Sequence, residues 1–199
     1  MRTYEMQRKN QDLLLVIDMQ NVYLPGEEWA CPSTMDAADN ILRLLPLFSG
    51  DRVIFSRFIA PEKPFGRWQT YNEKYAGINS SRYLNDLIDP IRRVTENGSY
   101  PVYDKSVYSL MKVPEAGKAA LDVTSAGGRL VLTGVVAECC VLSTAFEAID
   151  LGCEVIYVTD AVAGLDEPKE KASELMLRGL SPVHTHLMTT EEYISRMQD

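Results

Sequence analysis

The 199-residue chain carries 20 Lys and Arg against 28 Asp and Glu, and 46% of its residues are hydrophobic. That apolar share suffices for a packed core, and the length suits one domain over residues 1–199. A net charge of −8 without a basic stripe argues against nucleic acid or an anionic membrane as partner, and no apolar run approaches the roughly 18 residues of a membrane span.

In chain order, Leu13-Leu-Leu-Val-Ile17 predicts a buried strand, and residues 34–48 a helix with Ile41, Leu44, Leu45 and Phe48 on one face. Residues 52–56 predict a second strand and residues 100–103 a weak third. Residues 59–80 break the alternation as a long connection holding Phe65, Trp68, Tyr71 and Tyr75; such connections are usually functional or packed against a partner. Residues 114–126 predict a helix stopped by Gly127-Gly128. Residues 129–133 follow as strand four, 139–151 as a helix and 154–159 as strand five. A helix over 167–178, a sixth strand over 183–187 and a last helix from about Thr190 complete the chain. Near-continuous apolar strands separated by helices indicate an α/β fold of three α/β/α layers, with a mostly parallel sheet covered on both faces. The commonest six-stranded order is 3-2-1-4-5-6, with a crevice at the carboxyl ends of strands 1 and 4.

That crevice selects residues by itself. Asp18 directly follows strand 1; as an alternative to a chemical role it caps the next segment. Cys139 and Cys140 open the helix after strand 4, where unpaired N–H groups and the helix dipole favour a thiolate and can hold an oxyanion. Strands 1 and 4 are neighbours about 5 Å apart, which brings Cys140 across from Asp18. Cys31, Cys139 and Cys153 read as buried apolar thiols. Four cysteines, two of them adjacent, make a poor disulfide framework and fit a reducing, cytoplasmic setting, as does a first stretch without the apolar centre of a secretory signal. The only histidines, His184 and His186, fall two strands from Cys140, which argues against a Cys–His dyad. No phosphate-binding glycine loop and no Gly-x-Ser-x-Gly elbow is present.

Three segments in this order resemble the isochorismatase-like cysteine hydrolases, whose members include nicotinamidases, carbamoylsarcosine amidases and ureide hydrolases. They are Leu14-Leu-Val-Ile-Asp-Met-Gln-Asn21, Asp104-Lys-Ser-Val-Tyr-Ser109 and Gly134-Val-Val-Ala-Glu-Cys-Cys-Val-Leu-Ser-Thr-Ala145. The resemblance implies a catalytic triad of Asp18, Lys105 and Cys140. Lys105 alone would read as a solvated surface lysine. It also implies a cis peptide between Val136 and Ala137, and an oxyanion hole formed by the N–H groups of Ala137 and Cys140. The function so implied is cysteine-dependent hydrolysis of a C–N bond (amide, carbamoyl or ureide) in a small molecule through a thioester. The alternatives are an enol-ether hydrolase acting on isochorismate, and a redox or binding module using Cys139-Cys140.

Position 137, often Thr in the family, is Ala here, which leaves the backbone donor intact. Ser56-Arg-Phe-Ile-Ala-Pro61 lacks the histidines with which nicotinamidases bind a metal, so neither a metal nor another cofactor is expected. Arg57, and Arg67 in the long connection, are candidates for binding a substrate carboxylate as a fork. Phe65, Trp68, Tyr71 and Tyr75 are candidates for an apolar wall or lid, or for a contact between subunits of a homo-oligomer (dimer or tetramer).

Overall fold

The computed structural model describes residues 11–198. Its centre is a six-stranded, all-parallel sheet of order β3-β2-β1-β4-β5-β6. The strands are β1 (Leu13–Ile17), β2 (Val53–Phe58), β3 (Val102–Lys105), β4 (Leu130–Val135), β5 (Val155–Ala163) and β6 (Thr185–Met188). Order and parallel sense agree with the expected topology.

Period-two alternation divides the apolar residues of each strand between two cores. Leu14, Val16, Val53, Phe55, Val131 and Ile156 pack on one face with Ala38, Ile41 and Leu44 of α1 (Thr34–Leu44). Leu13, Leu15, Ile54, Leu130, Leu132 and Tyr157 pack on the other, beneath α6 (Pro114–Ser125), α7 (Leu142–Asp150) and α8 (Glu167–Arg178). The chain closes with α9 (Thr190–Gln198), whose Tyr193 joins the first core. No helix among the described residues is long and apolar enough to cross a membrane.

The connection after β2 is more ordered than its sequence suggested. It folds into α2 (Arg67–Lys74), α3 (Ala76–Ser80), α4 (Arg82–Asn85) and α5 (Asp89–Thr95). Short polar helices lack the two or three repeats that make an apolar stripe visible. The overlooked signal was Trp68, Tyr71 and Tyr75, spaced i, i+3, i+7 along one face. Gln20 fastens this insertion to the sheet: its side-chain amide donates to Phe58 O (3.1 Å) and Asn85 O (2.9 Å), and accepts from Phe58 N–H (2.7 Å).

One glycine sets how closely β1 and β4 approach. Gly134 has φ +102°, and a Cβ there would lie 2.1 Å from Ile17 O. Gly134→Ala should lower unfolding stability by about 2–4 kcal/mol, from a forbidden backbone conformation and a clash with main chain that cannot rotate away. Urea denaturation checks this; a loss below about 0.5 kcal/mol would mean that the strands separate easily.

Candidate active site

Asp18 leaves β1 with φ +50°, turning its carboxylate into the space beyond the strand ends. Its N–H donates to Ser56 O (3.1 Å), and Ser56 Oγ donates to its Oδ1 (2.7 Å). The second oxygen, Oδ2, lies 2.6 Å from Lys105 Nζ, with both side chains at most 1% exposed.

Lys105 reaches this point from the sheet edge through register. β2 and β3 pair Arg57 with Asp104 and Phe58 with Lys105. Opposed residues point to the same side and successive ones alternate. Arg57 and Asp104 therefore meet on one side, in a two-pronged ion pair of 2.8 and 3.0 Å. Phe58 and Lys105 meet on the other, with the ammonium 5.3 Å from the Phe58 ring centre. From there Nζ donates to Val107 O (3.1 Å) and to Cys140 Sγ (3.3 Å).

Cys140 lies in a single π-helical turn, Ala137–Val141, that leads into α7. One turn on, the Thr144 hydroxyl donates to Cys140 O (2.7 Å) and accepts from Leu110 N–H (3.0 Å). That link ties the loop after Lys105 to the Cys140 turn. The cis peptide is Val135–Val136 and not Val136–Ala137 as expected: β4 runs to Val135, two residues further than predicted, and the turn leaves directly from its end.

Other forces oppose the thiolate that the helix start favours. Burial, then the Asp18 charge, push the Cys140 thiol well above its ordinary value, and Lys105 offsets this only in part. Burial disfavours the Lys105 ammonium, but the charges of Asp18 and Cys140 and its hydrogen bonds to them outweigh that and raise its pKa. Both directions favour an ammonium at Lys105 and a neutral thiol at Cys140. Because the folded chain holds the Cys140 proton more tightly than the unfolded chain, it binds more protons once pH exceeds the ordinary thiol value of 9.0, and stability falls as pH rises further. Cys140→Ala should flatten that decline by up to about 1.4 kcal/mol per pH unit. Urea unfolding between about pH 8 and pH 10.5 measures it; parallel profiles for the two proteins would contradict the raised thiol.

Above Cys140 opens a cavity of about 220 Å³. Its wall is made of the rings of Tyr23, Trp29, Phe58, Tyr71, Tyr75 and Tyr108, completed by Val136, Leu165 and the thiols of Cys139 and Cys140. Trp29 packs edge-on against Tyr75 (5.1 Å between ring centres), and Tyr71 packs against Tyr75 (4.8 Å). Of the residues read from sequence, Asp18, Lys105 and Cys140 come together, and Tyr71 and Tyr75 join the wall. Trp68 stands behind it, 5.3 Å from the Tyr71 ring and 4.9 Å from that of Tyr108. Arg57 is held away by Asp104, Arg67 is exposed, and Phe65 is 92% exposed. Ala137 is buried in the turn beside Cys140. Cys139, read as a buried apolar thiol, is partly exposed and lines the cavity. His186 pairs with Glu154 (3.1 Å) in β6, away from the thiol. Tyr23, Trp29, Phe58 and Tyr108 had no signal as a set, since only folding assembles them from three chain segments.

A family model described as the isochorismatase domain matches residues 12–192. The chain belongs to the isochorismatase family. Solved structures carry the same fold. A cysteine hydrolase from Pseudomonas syringae pv. phaseolicola 1448A is 19% identical with TM-score 0.74, over 98% of this chain and 93% of that one. N-carbamoylsarcosine amidase from Thermoplasma acidophilum is 22% identical with TM-score 0.64, over 90% and 96%. Pyrazinamidase of Pyrococcus horikoshii, in complex with zinc, is 18% identical with TM-score 0.64, over 90% and 99%. Among curated protein sequences none matches. This isochorismatase-like hydrolase has Glu62 but no histidine in the segment after β2, and among its described residues no three His, Cys, Asp or Glu side chains gather as a metal-binding group. Its residues there do not fit a bound metal.

Proposed function

We propose that this hydrolase cleaves a C–N bond in a small amide, carbamoyl or ureide compound through a thioester on Cys140. The observation that carries the reading is Lys105 Nζ buried between the Asp18 carboxylate and Cys140 Sγ, with Cys140 itself lining an aromatic cavity. Two similar structures bear the names of amidases, which supports the same bond.

Asp18 takes the thiol proton as Sγ attacks the carbonyl carbon, and Lys105 offsets the negative charge that the pair then shares. The carbonyl oxygen becomes an oxyanion, received by the N–H groups of Ala137 and Cys140. The C–N bond breaks as Asp18 passes its proton to the departing nitrogen, leaving an acyl thioester and ammonia or an amine. Water then gives a proton to Asp18 and attacks the thioester carbon; the C–S bond breaks, the acid leaves, and the proton returns to sulfur. Lys105 and Cys140 act on each other's pKa, so a pH–rate profile reports the pair and neither residue alone.

The test is a panel of small amides, carbamoyl compounds and ureides beside isochorismate, read by ammonia release and by intact mass after acid quench. Ammonia release together with an acyl adduct on Cys140 is expected. Turnover of isochorismate alone, undiminished in Cys140→Ala, would replace this reading with enol-ether hydrolysis.

A further inference from the structure

We propose that the cavity admits only amides whose acyl body carries no negative charge, with Leu165 at its rim as a residue that sets this selection. The inference rests on the C–N hydrolase reading and adds the class of acyl group. It starts from the wall: among the described residues that line the cavity, none carries a charge. A carboxylate brought into such a space loses its hydration and gains no counter-ion.

The nearest cation gives no relief. Lys105 donates to Val107 O (3.1 Å) and Cys140 Sγ (3.3 Å), and its charge is held 2.6 Å from Asp18 Oδ2. Arg57 is spent on Asp104, on the side of β2 opposite to Phe58 and Lys105. At the rim, Lys169 is bound to Asp166. The acid Glu138 also borders it: its Oε1 accepts from Leu165 N–H (3.3 Å), and its charge acts on Cys139 in the wall more strongly than the opposing charges of Lys105 and Lys169 do singly. An incoming anion therefore meets an apolar ring surface with a carboxylate at its edge. A neutral planar body meets aromatic faces and edges in a volume of about 220 Å³, room for roughly one substituted ring.

The test compares 4-nitrobenzamide with 4-carbamoylbenzoate, which match in shape and differ in charge. Binding to the Cys140→Ala protein is measured by equilibrium dialysis, and kcat/KM of the wild type by ammonia release. The neutral compound should bind about a hundredfold more tightly. Leu165→Arg, at a position already 40% exposed, should tighten the carboxylate about tenfold and leave the nitro compound near its original Kd. Equal binding of the two, or no binding of the nitro compound at millimolar concentration, overturns the proposal. If binding discriminates but the wild type hydrolyses neither, charge selection stands and the C–N reading falls. If both are hydrolysed with equal kcat/KM, the reverse holds.

Discussion

Cys140→Ser should reduce turnover of the best amide by about 10⁴-fold and abolish the acyl adduct, with the fold unchanged. Serine is nearly isosteric, so the loss is chemical: a hydroxyl holds its proton far more tightly than a thiol, and a carboxylate is too weak a base to take it. Asp18→Asn should cost a similar factor, because it removes the only group in the cluster that can accept and return the proton. The two losses should not add. Once the proton has no acceptor, changing its donor removes nothing further, so the double variant should be about as slow as either single one. Cys139→Ala should leave turnover near the wild-type level. Both thiols line the cavity, but Lys105 Nζ donates to Cys140. Steady-state kinetics on the four variants decide the matter, and inactivity of Cys139→Ala with an active Cys140→Ser would assign the chemistry to the other thiol.

How far the sequence could be read follows from the range of the interactions involved. β1, β4 and β5 were legible because a strand buried on both faces must be apolar throughout, and that pattern is local. Asp18 and Cys140 were legible as crevice residues because each follows a central strand, and neighbouring strands bring their ends together. Lys105 was not readable from topology, since it ends the edge strand and arrives through alternation against Phe58; only the family resemblance selected it. Arg57 was misplaced for a related reason. β2 extends two residues past its predicted end, which places Arg57 inside the strand and opposite Asp104. A boundary error of two residues was enough to misjudge where Arg57 lies. The ring wall depends on contacts between Tyr23 and Trp29 after β1, Phe58 in β2, Tyr71 and Tyr75 around α2, and Tyr108 after β3. No local pattern encodes such a set.

Lys105→Met should lower unfolding stability by about 3–5 kcal/mol, a loss separate from the loss of activity. The ammonium and the Asp18 carboxylate were both removed from water, at 1% and 0% side-chain exposure, and their 2.6 Å contact offsets that cost. Methionine fills much of the volume of the lysine stem, so little of the expected loss comes from a cavity. What remains is a buried carboxylate whose Oδ1 still accepts from Ser56 and whose Oδ2 has lost its cation. Neutralising that carboxylate as well should return most of the stability. The Asp18→Asn/Lys105→Met double variant is therefore expected to unfold within about 1–2 kcal/mol of the wild type while remaining inactive. A double-mutant cycle by urea denaturation at neutral pH separates the terms. If Lys105→Met costs less than about 1 kcal/mol, or if the double variant loses the sum of both single losses, the pair is not holding its charges against burial. The expected result would mean that the geometry needed for proton transfer is kept only while acid and amine are both present, so that removing either charge is felt by the whole fold.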